Sequence, residues 1–446
     1  MVVGLLTTWR IVAATSGRRR YLWASATSSA SELSVAVAQC AEQIRQSVIN
    51  SNSHRMPLSR DACFVSITPT YSAADVERIS SSVSQALHGV SSAVDVVGTV
   101  VDQVNGGGAG VSLLFHTSRD KPNASRAVAF FIGDEHGRQR LRETAVGRWH
   151  IPVMDHCRQA SVLPLSATQA TSSVRLPPEL ADISDPLNVR LLLLASDRET
   201  RQTADALAQR FPRASILGLV GAATPFFNAR PYTLFGPTIR NSGCVGLAFS
   251  DSTMPSLTVA HPGMVAATPV LRIVRAKGNV VLDVEDARAA HTLIAAMRSS
   301  GSGDNRVYAR ISRTEEAARE PLTRPGPMSA VFRVTGGDPA KGGVAVDTLS
   351  DIPHDCFIQF LVPSSVPVAT PELGSGGGPT VLFGVTTSTI GDSAFSGQEQ
   401  RGVHSAATEG GFVYAYPDID SSGTDLFSRP TECAVPGSIA TLSLPA

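Results

Sequence analysis

Apolar residues recur along this chain at two periods. Leu33, Val37, Cys40, Ile44 and Val48 are spaced by three and four, which predicts an amphipathic helix. Residues 62–68 (ACFVSIT) form an apolar, β-rich run and predict a strand. Val76, Ile79, Val83 and Leu87 mark a second helix opening at Ser72. Residues 94–101 and 111–116 predict two further strands, joined by the glycine-rich turn Asn105-Gly106-Gly107-Gly108. The same order then returns. Residues 189–195 (VRLLLLA) are a nearly continuous apolar strand, residues 197–211 a helix, and residues 216–220 and 244–249 the next two strands.

Strand–helix–strand–strand therefore occurs twice, over about 60–120 and 189–250. In each copy a glycine meets the second strand: Gly98-Thr99 in the first, Gly221-Ala222 in the second. A glycine there permits close approach of another backbone or of a ligand. This reads as a weak internal duplication. Strands that are apolar throughout imply sheets covered on both faces, so the expected class is a layered α/β fold.

From residue 265 onward the pattern changes to short strands. A hairpin is signalled around Ala276–Asn279, a helix over 285–297, and strands over 306–311, 330–335, 356–362, 381–386 and 437–444. Residues 371–379 are glycine-rich, and 391–409 are polar and read as mobile.

The chain has 446 residues with 38 Lys+Arg against 38 Asp+Glu, and this balance argues against a general nucleic-acid binder. The balance is uneven, however. The first 31 residues hold four arginines and no acid, and are rich in Ser, Thr and Ala. That is the composition of a mitochondrial transit peptide, so the matrix is the expected location, with the cytoplasm as the alternative. The remaining residues are then mildly acidic. No run reaches the ~18 uncharged apolar residues of a membrane helix.

Recognisable chemistry is sparse. The six cysteines lack C-x-x-C spacing and read mostly as small core residues. There is no phosphate-binding P-loop, no dinucleotide fingerprint and no nucleophile elbow. Nothing calls for a cofactor. His150, Asp155, His156 and Cys157 form the densest set of metal-capable side chains, at a spacing with little specificity. Asp338, before Pro339, suits either a ligand contact or the first position of a turn.

Three segments carry a family resemblance: 94–104 (VDVVGTVVDQV), 216–249 with its hairpin Tyr232-Thr233-Leu234-Phe235, and 332–362. Their order resembles the FIST family (F-box and intracellular signal transduction), without the F-box. The resemblance implies a FIST N-terminal-like domain over 32–260 and an α+β C-terminal-like domain over 261–446. It also implies a non-enzymatic sensory module that binds amino acids or related carboxylates.

The expected ligand site is where the two glycine steps converge, at Gly98, Thr99, Gly221, Ala222 and Thr224, with Arg333 and Asp338 contributed by the C-terminal half. Two other readings compete. One is a scaffold that recruits a protein partner through its polar loops. The other is a hydrolase or transferase with dispersed residues, for which Cys63, Cys244, His150 and Asp338 are the candidate parts.

Overall fold

The computed structural model describes residues 21–50, 61–104, 110–118, 127–138, 174–223, 231–250, 254–285, 287–300, 306–338, 340, 342–348, 350–364, 379–386, 403–417, 426–427 and 429–444. Thr224, the His150–Cys157 cluster and the Asn105–Gly108 turn lie outside these residues.

The protein is mixed α/β with several sheets. Its strands follow one scheme three times. The first unit contains β1 (Tyr21–Ser28), α1 (Leu33–Asn50), β2 (Asp61–Ile67), α2 (Ala73–Leu87), β3 (Val94–Val100), β4 (Gln103–Val104) and β5 (Val111–Ser118). The second contains β6 (Ala127–Ile132), α3 (Pro178–Ala181), β7 (Val189–Ser196), α4 (Thr200–Arg210), β8 (Ser215–Val220), β9 (Thr233–Phe235), β10 (Thr238–Arg240) and β11 (Cys244–Ser250).

The third unit begins with β12 (Ser256–Ala260). A long insertion follows: β13 (Met264–Ala266), β14 (Leu271–Lys277), β15 (Val280–Val284), β16 (Ala287–Arg288), α5 (Ala289–Ser300), β17 (Tyr308–Ser312), α6 (Glu315–Arg319), β18 (Ser329–Asp338), β19 (Gly343–Val346) and β20 (Phe357–Pro363). The unit then resumes with β21 (Thr380–Val385), β22 (Val403–Thr408), β23 (Phe412–Ala415), β24 (Thr431–Cys433) and β25 (Ile439–Ser443).

In each unit an edge strand (β1, β6 or β12) lies antiparallel to the last strand (β5, β11 or β25). That strand is antiparallel to the first member of a parallel pair: β2 with β3, β7 with β8, β21 with β22. The next position is filled by a strand from another unit. β9 of the second unit joins β3, β23 of the third joins β8, and β4 of the first joins β22. The three sheets thus exchange strands in a closed cycle.

Hydrogen bonds at the carboxyl ends of the parallel strands close the same cycle. The Ala222 N–H donates to Val100 O at 2.8 Å and the Asp102 N–H to Ala407 O at 3.0 Å. Thr408 Oγ1 donates to Val220 O at 2.7 Å.

The inner faces of the three sheets share one core that includes Phe64, Leu193, Phe383 and Leu442. On the outer face of the first sheet, α1 and α2 bury Ile44, Ile79 and Val83 against Cys63, Val65 and Phe115. On the second, α4 buries Ala204 and Leu207 against Leu192, Leu194 and Ile216. β2 and β7 are covered on both sides, which is why their central residues, Ala62–Val65 and Leu191–Ala195, are continuously apolar. The start of α2 is fixed by a capping box: Ser72 Oγ accepts the Asp75 N–H while the Asp75 carboxylate accepts the Ser72 N–H.

Several sequence expectations are altered. β3 and β5 are not a hairpin, because β5 crosses over to pair with β2. β1 lies inside the presequence-like stretch of residues 1–31, yet pairs with β5 over its whole length and buries Ala24 and Ala26. β22 lies within the polar stretch 391–409, yet is buried throughout.

The insertion is the largest departure. β17 pairs with β18 on one side and β20 on the other, so β20, β14, β15, β19, β18 and β17 close into a six-stranded barrel. Within it, the buried Arg310 guanidinium donates to Ala318 O at 3.0 Å and Glu320 O at 2.6 Å, satisfying carbonyls at the end of α6.

Candidate ligand-binding site

The two glycine steps do meet. A Cβ added at Gly221 would lie 2.5 Å from Thr99 Oγ1, and Thr99 Oγ1 donates to Tyr232 O at 2.7 Å. Gly98, however, is matched in the second unit by Gly218. Gly98 stands between Val65 and Leu234, as Gly218 stands between Leu194 and Val413. Both glycines serve close packing: a Cβ at Gly98 would strike Val65 O, and one at Gly218 would lie 2.7 Å from Val413 Cγ1. The Gly221 N–H donates to Ser196 O at 2.8 Å and the Ala222 N–H to Val100 O. Thr99 and Ala222 are buried. Arg333 and Asp338 belong to a different element, barrel strand β18, where both are exposed. Asp338 Oδ1 accepts the Ala340 N–H at 3.0 Å, which is turn geometry.

Histidine–serine pairs exist, but they are sealed in the core. The His404 ring nitrogens lie 3.2 Å from Ser66 Oγ and 3.0 Å from Ser112 Oγ, and His261 Nδ1 lies 2.6 Å from Ser438 Oγ. All five residues are buried. Burial holds both imidazoles down to about 3, so they are neutral at physiological pH. The thiols are likewise pushed away from reactivity by burial, Cys244 up to about 12 and Cys433 up to about 11. Cys63 is raised for the same reason.

Charged side chains converge elsewhere, where α4, β24 and the segment after β19 come together. The turn into α4 is built rigidly. The carboxylate of Asp197 accepts the Glu199 N–H at 3.0 Å and the Gly243 N–H at 2.7 Å, and is clamped by the Arg138 guanidinium, with one contact at 3.0 Å. Thr200 Oγ1 donates to Asp197 O at 2.8 Å. This places Arg201 at the start of the helix, 8% exposed. Its Nη2 donates to Ser350 Oγ at 3.0 Å, across to the segment after β19, while its Nε has no hydrogen-bond partner among the described residues.

One helical turn on, Asp205 is half-buried; burial raises its carboxyl, while Arg201 and Arg429 pull it down. On β24, Glu432 pairs with Val413 and alternates away from the inward-facing Cys433, toward the α4 side. Its carboxyl is raised to about 7. Burial is the main cause; Arg201 opposes it, and Asp347, Asp205 and Glu199 add to it. Solvent nevertheless reaches Glu432, which is an exposed residue. The cluster therefore runs from the buried Arg201 to the solvent-exposed Glu432.

Sequence reasoning did not find this cluster. Its one local signal is Arg201 and Asp205 at i and i+4, beside the apolar stripe of α4. Glu432 and Ser350 arrive from strands and turns more than a hundred residues away.

Among the described residues no group of His, Cys, Asp and Glu is arranged to hold a metal ion, and no helix is long and apolar enough to cross a membrane. No protein-family profile matches the chain, and no curated protein is significantly similar to it. Among solved structures, a cyanuric acid hydrolase from A. caulinodans is similar over 78% of this chain and 100% of that chain, at 11% identity and a TM-score of 0.24. That likeness carries no argument about fold or function.

Proposed function

We propose that this protein is a non-enzymatic small-molecule-binding module whose ligand is an amino acid or a related carboxylate. The observation that carries the reading is the cluster of charged side chains around Arg201 and Glu432. It sets guanidinium and carboxylate groups against one another at the meeting of three parts of the chain. A buried guanidinium with an unpartnered Nε–H is a donor prepared for a carboxylate, because an unsatisfied buried donor costs about 1–3 kcal/mol until a ligand completes it. The neighbouring carboxylates suit an ammonium group. The order of segments resembling the FIST family supports the same reading, and a sensory role follows from it: a ligand held by Arg201 would lie where α4 meets the segment after β19.

A thermal-shift screen of amino acids and organic acids on the full chain tests this. Binding to the native state must raise the unfolding midpoint, by about 2.7 kcal/mol of stability at a hundredfold excess over Kd. If no compound in the screen shifts the midpoint, the reading fails.

A further inference from the structure

We infer that the protein has a second ligand site, an open cleft on the first unit that takes a neutral polyhydroxylated molecule such as a mono- or disaccharide. It is separate from the charged cluster around Arg201, which belongs to α4 of the second unit.

The cleft measures about 530 Å³, inside the range of about 300–1,000 Å³ usual for small-molecule sites. It lies where α2 ends and the chain turns into β3. Ser84, Gln85 and His88 line it from the end of the helix, and Ser91 and Ser92 from the turn.

The turn is held in shape by the fold. Leu87 and Val90 are buried in the core beneath α2. Leu87 O accepts the Val90 N–H at 2.7 Å and the Ser91 N–H at 2.8 Å. Ala93 O accepts Ser91 Oγ at 2.9 Å and the Asp61 N–H of β2 at 3.2 Å. A ligand would therefore meet backbone that is already ordered, which removes one of the main costs of binding.

The chemistry of the lining selects the ligand. Its polar side chains are hydroxyls, a carboxamide and an imidazole, with no Lys, Arg, Asp or Glu among the described residues that line it. A phosphate or carboxylate brought out of water there would find no opposite charge, and desolvating an unpaired charge is costly. Sugar hydroxyls each donate and accept a hydrogen bond, as serine hydroxyls and amides do. Ala93 and Val94 add apolar contact for the C–H face of a sugar ring. Five polar side chains around one cleft call for a ligand with several hydroxyls, not a simple alcohol.

The test is saturation-transfer NMR and calorimetry on the full chain with glucose, galactose, mannose and maltose, and with glucose 6-phosphate as the charged counterpart. At least one neutral sugar is expected to bind with a Kd of about 1 mM or tighter, and glucose 6-phosphate no more tightly than glucose. Gln85 and Ser92 are exposed, so Gln85→Ala with Ser92→Ala should fold normally. That double variant is expected to weaken sugar binding at least about tenfold. No binding of any neutral sugar at about 10 mM overturns the inference. So does sugar binding unchanged in the double variant, or glucose 6-phosphate binding more tightly than glucose. If amino acids raise the unfolding midpoint and no sugar binds, this inference falls and the reading based on Arg201 stands.

Discussion

Thr408 Oγ1 donates a 2.7 Å hydrogen bond to Val220 O, tying the end of β22 in the third unit to the end of β8 in the second. The corresponding links elsewhere in the cycle use backbone N–H groups. Here a side-chain hydroxyl adds to the backbone bond from the Val220 N–H to Gly411 O at 3.0 Å, and Thr408 Oγ1 also accepts the Gly411 N–H at 3.1 Å. Thr408→Val should therefore cost about 1–3 kcal/mol by leaving buried backbone groups unpaired. Thr408→Ser, which keeps the hydroxyl, should recover most of that. Equal midpoints for wild type and Thr408→Val in urea unfolding would show that the link is dispensable.

The matched glycines offer a second check. Gly218→Ala places a Cβ against Val413 Cγ1 at 2.7 Å and Leu194 Cβ at 2.8 Å, and overpacking of that kind costs about 1–3 kcal/mol. Gly98→Ala should be worse, because its Cβ meets the backbone of Val65 rather than movable side chains. At Gly236, where φ is +54° and no atom lies within 4 Å of the added Cβ, Asn should be tolerated, since it adopts left-handed backbone readily. The thermal midpoint should be highest for Gly236→Asn, lower for Gly218→Ala and lowest for Gly98→Ala.

Stability should fall on acidification. His116, His261 and His404 are buried, and burial depresses each from the usual 6.5 to about 3. Above pH 6.5 these groups are neutral whether the chain is folded or not. Below it the unfolded chain takes up protons that the folded chain refuses, so each histidine withdraws up to about 1.4 kcal/mol per pH unit until pH nears 3. In His404→Phe the slope of unfolding free energy between pH 6 and 4 should drop by about one proton. An unchanged slope would place the titration elsewhere.

Ligand affinity should rise with pH through neutrality. Glu432 titrates near 7, among Arg201, Asp205, Glu199 and Asp347. Ionised, it attracts a cation; protonated, it does not. Binding of a cationic ligand should thus release a proton and tighten between pH 6 and 8. Calorimetry in buffers of different ionisation enthalpy would detect the release, and Glu432→Gln should flatten the profile.

The residues read as a presequence contain structure. A chain beginning at Ser31 lacks β1, with its eight-residue pairing to β5 and the buried Ala24 and Ala26. It should unfold at lower temperature than one beginning at Arg20. A targeting segment compatible with this fold therefore ends before Tyr21.

Much of the α/β pattern was legible because both-face burial makes β2 and β7 unmistakably apolar. The third repeat was not. Its β22 reads Val403-His404-Ser405-Ala406-Ala407-Thr408, small and polar, because His404 lies between Ser66 and Ser112 of the first sheet rather than in solvent. A hydrophobicity pattern cannot register a buried polar group whose partners sit hundreds of residues away. The insertion between β12 and β21 also hid the repeat, since it separates strands that sit close together in the other units. Barrel closure escaped because it depends on β17 pairing on two sides, a property of register and not of composition. The glycine step was read one turn of chain out of place: Gly221 is adjacent to Thr99, but Gly218 is the counterpart of Gly98.

The cyclic exchange of strands has a consequence for biosynthesis. The first sheet is complete only after residue 240 has been made, and the second only after residue 433, because their outer strands are encoded in the following repeat. The third needs β4, which was translated some three hundred residues earlier. A ribosome-bound chain therefore carries exposed sheet edges almost to the end of translation, and its last few dozen residues act as the lock for everything before them.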